Sequence, residues 1–198
     1  MDEREFQDLR EKAGDEMCRV GKCYEIGDGV GRDAAEAFKW YRMAAEQGFA
    51  EAQFELGRCY AFGIGVRRNR ATAAKWIRKA ADQRHVMAML MLGSWYLSGY
   101  GVEEKPREGV KWLHRAADRG DARAMFKLGD CYENGVGVKK DFDAAYLWFC
   151  RAAVAAPEDE HLYQMVQSRI FSPELKEYRD SVLEESASLI SSQKQKRV

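Results

Sequence analysis

The sequence has few prolines, no excess charge of either sign and no long apolar run. Its three prolines among 198 residues suit helices better than a β-sandwich. The 32 basic and 32 acidic residues balance, so no excess of charge favours nucleic acid or an anionic membrane as a partner. Because no run of about 18 apolar residues occurs, we expect no membrane insertion. The N-terminus also lacks the apolar core of a signal peptide.

Cysteine and histidine are too few and too scattered to form a metal or catalytic site. Five cysteines, an odd number without a secretory signal, indicate free thiols and a reducing, cytoplasmic location. His85, His114 and His161 are the only histidines. None pairs at i, i+4 with another ligand in a Cys/His cluster, so we expect no metal and no cofactor. Most carboxylates fall on predicted solvent faces, and none stands in an apolar setting that would indicate a shifted pKa.

The chain repeats itself every 36 residues. The stretches GKCYEIGDGV, GRCYAFGIGV, GSWYLSGYGV and GDCYENGVGV share one pattern and begin at Gly21, Gly57, Gly93 and Gly129. Aromatic residues follow the same period at Tyr24, Tyr60, Tyr96 and Tyr132, and at Trp40, Trp76, Trp112 and Trp148. Four tryptophans at one fixed spacing indicate a repeat protein.

Each repeat is predicted to be a pair of helices. In the second repeat, helix A is expected at Ala50–Phe62, where Ala52, Leu56 and Tyr60 lie on one face. Helix B is expected at Asn69–Asp82. So short a pair cannot bury both apolar faces alone, and stacking of neighbouring repeats completes the core. We therefore predict an all-α protein, a right-handed α-α superhelix (solenoid) of four helix-pair repeats with terminal capping helices.

The repeated small and aromatic residues are interpreted as packing positions. The glycine within each A helix should let a neighbouring helix approach, and each tryptophan should fill the space between a B helix and the next repeat. Gly63 and Gly65 should end helix A. Because these glycines follow a helix and not a strand, they do not indicate a phosphate-binding loop. Cys23, Cys59 and Cys131 share one repeated position, which indicates a core filler and not a nucleophile.

The residues also resemble a known family. The second repeat shows the pattern A-x-A-x-x-x-L-G-x-x-Y-x-x-G-x-G-V and then W-x-x-x-A-A almost whole, between Ala50 and Ala81. This pattern resembles the Sel-one-like repeat (SLR), a tetratricopeptide-like (TPR-like) α-solenoid, over residues 14–156. The resemblance implies an adaptor that acts in signalling or in the assembly of complexes.

The repeats define the predicted domain boundaries. The predicted segments are an N-terminal lead-in helix at 1–13, repeats at 14–48, 49–84, 85–120 and 121–156, capping helices at 157–191, and a disordered tail at 192–198. Within the C-terminal part, Ser172 is expected to be an N-cap with Pro173 at the first helical position. The helix that follows is expected to reach Ser191.

The candidate binding residues lie on the A helices, whose side chains form ladders along the concave face. Positions that differ between repeats while the frame stays fixed are the candidates for contact with a protein or peptide partner. They are Arg19, Lys22, Ile26, Glu55, Arg58, Phe62, Met87, Met91, Ser94, Arg123, Lys127 and Asp130. We expect a non-enzymatic protein-interaction module that holds a peptide or helix on this face.

Two alternatives remain open on the sequence. The first is an enzyme that binds or hydrolyses β-lactams, which a resemblance to cysteine-rich secreted relatives implies, although the regular cysteine pairs of those relatives are missing. The second is a regulatory subunit that self-assembles through the C-terminal helix. The sequence predicts no oligomeric state.

Overall fold

The computed structural model describes residues 3–176, 178 and 180, with side chains from residue 13 onward. These residues form helices and no strand, which confirms the predicted all-α class. The helices are α1 Glu3–Ile26, α2 Ala34–Glu46, α3 Ala50–Phe62, α4 Arg70–Asp82, α5 Val86–Ser98, α6 Pro106–Ala117, α7 Ala122–Asn134, α8 Phe142–Ala155 and α9 Glu160–Ile170. Helices α1, α3, α5 and α7 are the A helices of the four repeats, and α2, α4, α6 and α8 are the B helices.

Short polar residues begin the B helices. The side chain of Asp33 accepts hydrogen bonds from the backbone N–H groups of Ala35 and Glu36, at 2.9 and 3.0 Å. Asn69 and Asp141 cap α4 and α8 in the same way. Each cap satisfies backbone donors that the first helical turn leaves unpaired, as predicted for the two aspartates.

The two glycines of each A–B connector have different tasks. Gly63 ends α3 with a φ of +79°, and its N–H donates to the carbonyl of Cys59. Gly65 also has a positive φ, +64°, and a Cβ at this position would lie 1.9 Å from the carbonyl oxygen of Ala34, the first residue of α2. The second glycine therefore lets the connector of repeat two lie against the B helix of repeat one.

The chain divides into two compact units, one up to Trp112 and one from Leu113 onward. In the first unit, a core cluster joins α1, α2 and α3, with Tyr41 and Leu56 fully buried in it. Gly57 of α3 lies so close to α4 that a Cβ would come within 2.6 Å of the Ile77 side chain. The predicted role of this glycine in close helix approach is therefore confirmed.

The second unit contains α7, α8 and α9. Its core cluster includes Phe149 of α8 with Leu162 and Val166 of α9, and the rings of Phe126 and Phe149 are 5.4 Å apart. Leu175, in a 3-10 turn after α9, is fully buried in the same cluster. Helix α9 thus occupies the place of a further A helix, although it lacks the glycine pattern.

Some details of the termini differ from the prediction. Helix α1 runs without a break from Glu3 to Ile26, so the lead-in segment and the first A helix are one helix. Ser172 is the N-cap residue with Pro173 at the first helical position, as predicted, but its side chain makes no cap hydrogen bond and the turn that begins there is 3-10. The predicted helix up to Ser191 and the predicted tail at 192–198 extend beyond the described residues.

Two of the repeated tryptophans, Trp76 and Trp148, contact residues of the preceding repeat. Trp76 packs against the core cluster of repeats one and two. Within the second unit, the ring of Trp148 lies 5.3 Å from the imidazole of His114 on α6, the preceding B helix. That these rings also fill the space before the next repeat stays a prediction.

Candidate functional site

A cleft of about 470 Å³ opens between the A helices α1 and α3 of the first unit. Residues three and four apart on α1 share the face that borders it. The lining residues are Asp15, Cys18, Arg19 and Lys22 of α1, Glu51 and Glu55 of α3, and Tyr41 of α2. Acidic side chains therefore outnumber basic ones around the cleft, and a thiol and a phenol line its wall.

An ionic cluster beside the cleft ties α1 to α3. The Arg58 guanidinium contacts the carboxylate of Glu55, and its Nη2 lies 3.0 Å from Oε1 of Glu25. The Tyr41 hydroxyl donates to Oε2 of Glu25 at 2.8 Å, and Nζ of Lys22 lies 3.7 Å from the same oxygen. We call these five residues the Arg58 cluster. The side chains of Glu25 and Glu55 are each only 13% exposed, so water screens their charges poorly.

Burial and hydrogen bonding shift the pKa values of the two carboxyl groups in opposite directions. Burial acts to raise the pKa of Glu25, but hydrogen bonds from Tyr41 and Arg58 outweigh it and hold that pKa below its usual range. Burial raises the pKa of Glu55, and the charge of Arg58 offsets only part of this rise. The sequence pattern did not indicate either of these shifts, because both depend on partners from other helices.

A histidine from the next repeat holds another acid of the cleft. Nε2 of His85 lies 2.8 Å from Oε2 of Glu51, and Nδ1 accepts a hydrogen bond from the N–H of Ala88 at 3.1 Å. These two bonds fit the neutral tautomer with its proton on Nε2. The hydrogen bond from His85 lowers the pKa of Glu51 against the effect of burial. Glu51 therefore faces the cleft as a fixed carboxylate.

The thiol that lines the cleft is not activated. Burial raises the pKa of Cys18 to about 12 and that of Cys59 to about 12, so both are protonated at neutral pH. All five cysteines lie in the described part of the chain, and each is a free thiol. Among the described residues, no group of three or more histidine, cysteine, aspartate or glutamate side chains could hold a metal ion. No described helix is long and apolar enough to span a bilayer.

Three predicted contact residues of the first unit are open to solvent although they are apolar. Ile26 is 59% exposed, Phe62 63% and Met87 39%. Ile26 and Phe62 are the last residues of α1 and α3 and occupy one repeated position. Exposed apolar side chains at equivalent positions of neighbouring repeats are the kind of surface that a partner covers.

The polar candidates of the first unit mostly have partners within the chain. Glu55 and Arg58 belong to the Arg58 cluster and are half-buried. The Ser94 hydroxyl donates to the carbonyl of Leu90 on its own helix, and Met91 is half-buried. Arg19 and Lys22 line the cleft, and both remain largely exposed.

In the second unit, the polar candidates meet residues of the α9 segment. Nη2 of Arg169 lies 3.2 Å from Asp130, and Nη1 lies 3.2 Å from Glu133. We call these three residues the Arg169 cluster. Burial raises the pKa of both carboxyl groups, and Arg169 offsets part of the rise. Arg123 lies 3.5 Å from Asp159, the N-cap of α9, and Lys127 is half-buried.

Sequence reasoning missed the partners that complete both clusters. Glu25 and Glu133 are acids at a repeated position where the other repeats carry Ala61 and Leu97. Tyr41 carries a hydroxyl at a repeated position that apolar side chains fill in the other three repeats. A search for single polar exceptions within each repeated position could have found these residues.

The repeat geometry agrees with the comparisons with known proteins. The family sequence model of the Sel1 repeat matches this chain in four segments, at residues 17–49, 50–85, 86–121 and 122–153. The chain belongs to the Sel1 repeat family. Its fold is that of the TPR-like helical solenoids, as predicted, and Sel1 repeat proteins are in general protein-interaction modules. No curated protein sequence matches this chain significantly.

Several solved structures are similar to this Sel1 repeat protein. A Sel1 repeat protein from Oxalobacter formigenes is 36% identical with a TM-score of 0.71, over 80% of this chain and 64% of that one. The protective antigen c5321 of uropathogenic Escherichia coli, which displays an SLR fold, is 30% identical with a TM-score of 0.69, over 87% and 38% of the two chains. This chain thus spans less than two thirds of either relative.

A more distant likeness extends to cysteine-rich protein B of Helicobacter pylori. It is 20% identical, with a TM-score of 0.52 over 68% of this chain and 95% of that one. At this identity the likeness shows a shared fold alone.

Proposed function

We propose that this Sel1 repeat protein is a non-enzymatic adaptor that holds a peptide or helix of a partner protein along the A helices of its first unit. The observation that supports the proposal is the cleft between α1 and α3, together with the exposed Ile26 and Phe62 at the ends of the same helices. A polar cleft beside apolar anchor points suits an amphipathic segment.

Within this proposal, the lining residues have distinct roles. Ile26 and Phe62 receive the apolar side chains of the partner, which gain free energy by leaving water. Asp15 and Glu51 face the cleft and attract basic side chains of the same segment. Arg58 forms ion pairs within the protein, with Glu25 of α1 and Glu55 of α3. These pairs fix the spacing of the two helices, so that the cleft is formed before the partner arrives.

The experiment begins with affinity capture from the native cell and mapping of the bound segment. Calorimetric titration then compares the mapped peptide on Ile26→Asp, Phe62→Asp and a matched control, Met43→Asp. Met43 is 42% exposed on α2, outside the cleft. We expect each of the first two changes to weaken binding by about tenfold or more, with the control unchanged. If the peptide bound all three variants with equal affinity, the proposed binding surface would be wrong.

The proposal that the protein is not an enzyme has separate support. The thiol and the phenol of the cleft are held in their protonated forms, since burial raises the pKa of Cys18 and of Tyr41. Neither is therefore an active nucleophile. Nitrocefin hydrolysis above the buffer rate, lost in Cys18→Ser, would contradict this assignment and favour the β-lactam alternative. The free thiols support a reducing compartment such as the cytoplasm.

A further inference from the structure

The outer face of α8 is apolar where the earlier B helices carry charge. Leu147, Cys150 and Val154 lie at i, i+3 and i+7, on one side of the helix. Leu147 is 52% exposed and Val154 is 80% exposed. The equivalent positions hold Lys39, Arg42 and Glu46 in repeat one, Lys75, Arg78 and Asp82 in repeat two, and Lys111, His114 and Asp118 in repeat three. Repeat four alone has exchanged three polar side chains for apolar ones.

These side chains border a groove of about 420 Å³. Met125 of α7 and Ala155 at the end of α8 complete its apolar lining. Among the described residues that line it, Arg151 alone is charged, and its guanidinium lies 4.7 Å from the centre of the Trp148 ring. The groove therefore suits an apolar stripe that carries an acidic side chain at one edge.

The path of the chain after α9 leads to this helix. The ring of Tyr178 lies 5.5 Å from that of Phe142, the first residue of α8. The chain thus reaches the start of α8 just before residue 181. The groove lies further along the helix, between Leu147 and Ala155, and Val154 is twelve residues from Phe142, which is about 18 Å at 1.5 Å per residue. Thirteen residues from Tyr178 would span the same distance if helical, so the segment that follows is long enough to reach and cover the groove.

The sequence of that segment has the matching chemistry. Val182, Leu189 and Ile190 recur at i, i+7 and i+8, and Glu185 lies at the edge of this stripe. We propose that residues 181–191, which lie beyond the described part of the chain, dock along the α8 groove with Glu185 beside Arg151. The apolar face of repeat four is then covered by the protein's own chain.

Cys150 reports directly on whether the groove is covered. It is half-buried and lines the groove, whereas Cys131 is buried in α7 and is an internal reference. The experiment measures maleimide labelling of each cysteine by peptide mass spectrometry in the full chain. The variant Leu189→Asp/Ile190→Asp disrupts the proposed stripe, and Ser192→Asp/Gln193→Asp adds the same charge just beyond the docked segment as a control.

We expect the first variant to label Cys150 at least about tenfold faster than the parent protein, which corresponds to about 1.4 kcal/mol of docking free energy. The control and the labelling of Cys131 should stay unchanged. The variant Arg151→Glu should also increase labelling, and Arg151→Glu/Glu185→Arg should restore protection.

Three results would overturn the proposal. Equal labelling of Cys150 in the stripe variant and the parent would show that this segment does not cover the groove. Protection that grows with protein concentration, with a doubled mass by light scattering, would assign the groove to a second copy of the chain. Fast labelling in the parent itself would show a groove open to another protein.

Discussion

The Arg58 cluster of the first unit and the Arg169 cluster of the second each place an arginine beside two acids, but the acid at one repeated position has opposite pKa shifts in the two clusters. In each, one arginine lies between two carboxylates. Glu25 has a lowered pKa, whereas Glu133, at the same repeated position, has a raised one. The buried Oε2 of Glu133 lies near Arg169 but has no hydrogen bond of good geometry. Proximity of an arginine alone therefore does not stabilise a buried carboxylate.

The residue that makes the difference is an aromatic side chain on the B helix. Tyr41 donates its hydroxyl hydrogen to Glu25 at 2.8 Å. The equivalent residue in repeat four is Phe149, which is fully buried and has no hydroxyl. A hydrogen bond to the charged form of an acid favours that form. One oxygen atom on a core residue thus determines whether the acid of the cluster is satisfied.

Replacing the central arginine of each cluster should give the largest difference between the two clusters in the free energy of unfolding. Arg58→Met leaves Glu55 buried without its cation and Glu25 with Lys22 alone, and we expect a loss of about 3 kcal/mol in the free energy of unfolding. Arg169 is 42% exposed against 23% for Arg58, so Arg169→Met should cost about 1 kcal/mol. Urea unfolding measures both.

The control for these variants is Arg19→Met, because Arg19 is exposed and pairs with the exposed Glu16 on its own helix. It should cost less than about 0.5 kcal/mol. If Arg58→Met costs no more than this control, the Arg58 cluster does not stabilise the first unit.

Removal of the tyrosine hydroxyl should make the first cluster resemble the second. Tyr41→Phe deletes one hydrogen bond to a carboxylate and keeps the ring, so we expect a cost of roughly 1.5–2 kcal/mol. The pKa of Glu25, measured by NMR titration, should rise because burial then acts with less opposition. An unchanged pKa of Glu25 would assign its lowering to Arg58 alone.

The reverse change should improve the second cluster. Phe149→Tyr places a hydroxyl where Tyr41 has one in repeat one, within the same helix-pair geometry. We expect the pKa of Glu133 to fall and the free energy of unfolding to increase by about 1 kcal/mol. The matched control is Phe149→Tyr with Glu133→Gln, in which no carboxylate remains to gain. A loss of stability in the single variant would mean that the core has no room for the hydroxyl.

The period of the sequence predicted the fold closely but not these clusters. Helix α3 has the predicted bounds, and Asn69, predicted as the first residue of the next helix, is its N-cap. Because such features recur from repeat to repeat, the shared sequence pattern indicates each of them more than once. The clusters depend on exceptions, such as Tyr41 at an apolar position, which a shared pattern averages away. Arg169 was missed because α9 lacks the glycine pattern and the ladders were not extended to it.

The candidate cleft was predicted in part, for a related reason. The sequence placed Arg19, Lys22 and Glu55 on the A-helix face, and all three line the cleft. It could not show which polar candidates are already paired inside the protein, because the partners come from helices a repeat or more away. Arg58 pairs with Glu25, 33 residues earlier. Whether the cleft binds a partner stays a prediction.

The smallest expected effect is a difference in how the two clusters respond to pH. Burial raises the pKa of Asp130 and Glu133 above its unfolded value, so the folded second unit binds protons more readily than the unfolded chain. Its stability should therefore increase as the pH falls from 7 towards 5, by roughly 0.5 kcal/mol. The lowered pKa of Glu25 has the opposite consequence, because its contribution is complete above the ordinary pKa of about 4.3 and is lost only below it. Hydrogen exchange should show slower exchange at pH 5 in α9, after correction for the intrinsic rate, and a smaller gain in α1 and α3, where Glu55 alone of the Arg58 cluster has a raised pKa. Glu133→Gln should remove most of the gain in α9; a gain that survives in Glu133→Gln/Asp130→Asn would have to come from other groups.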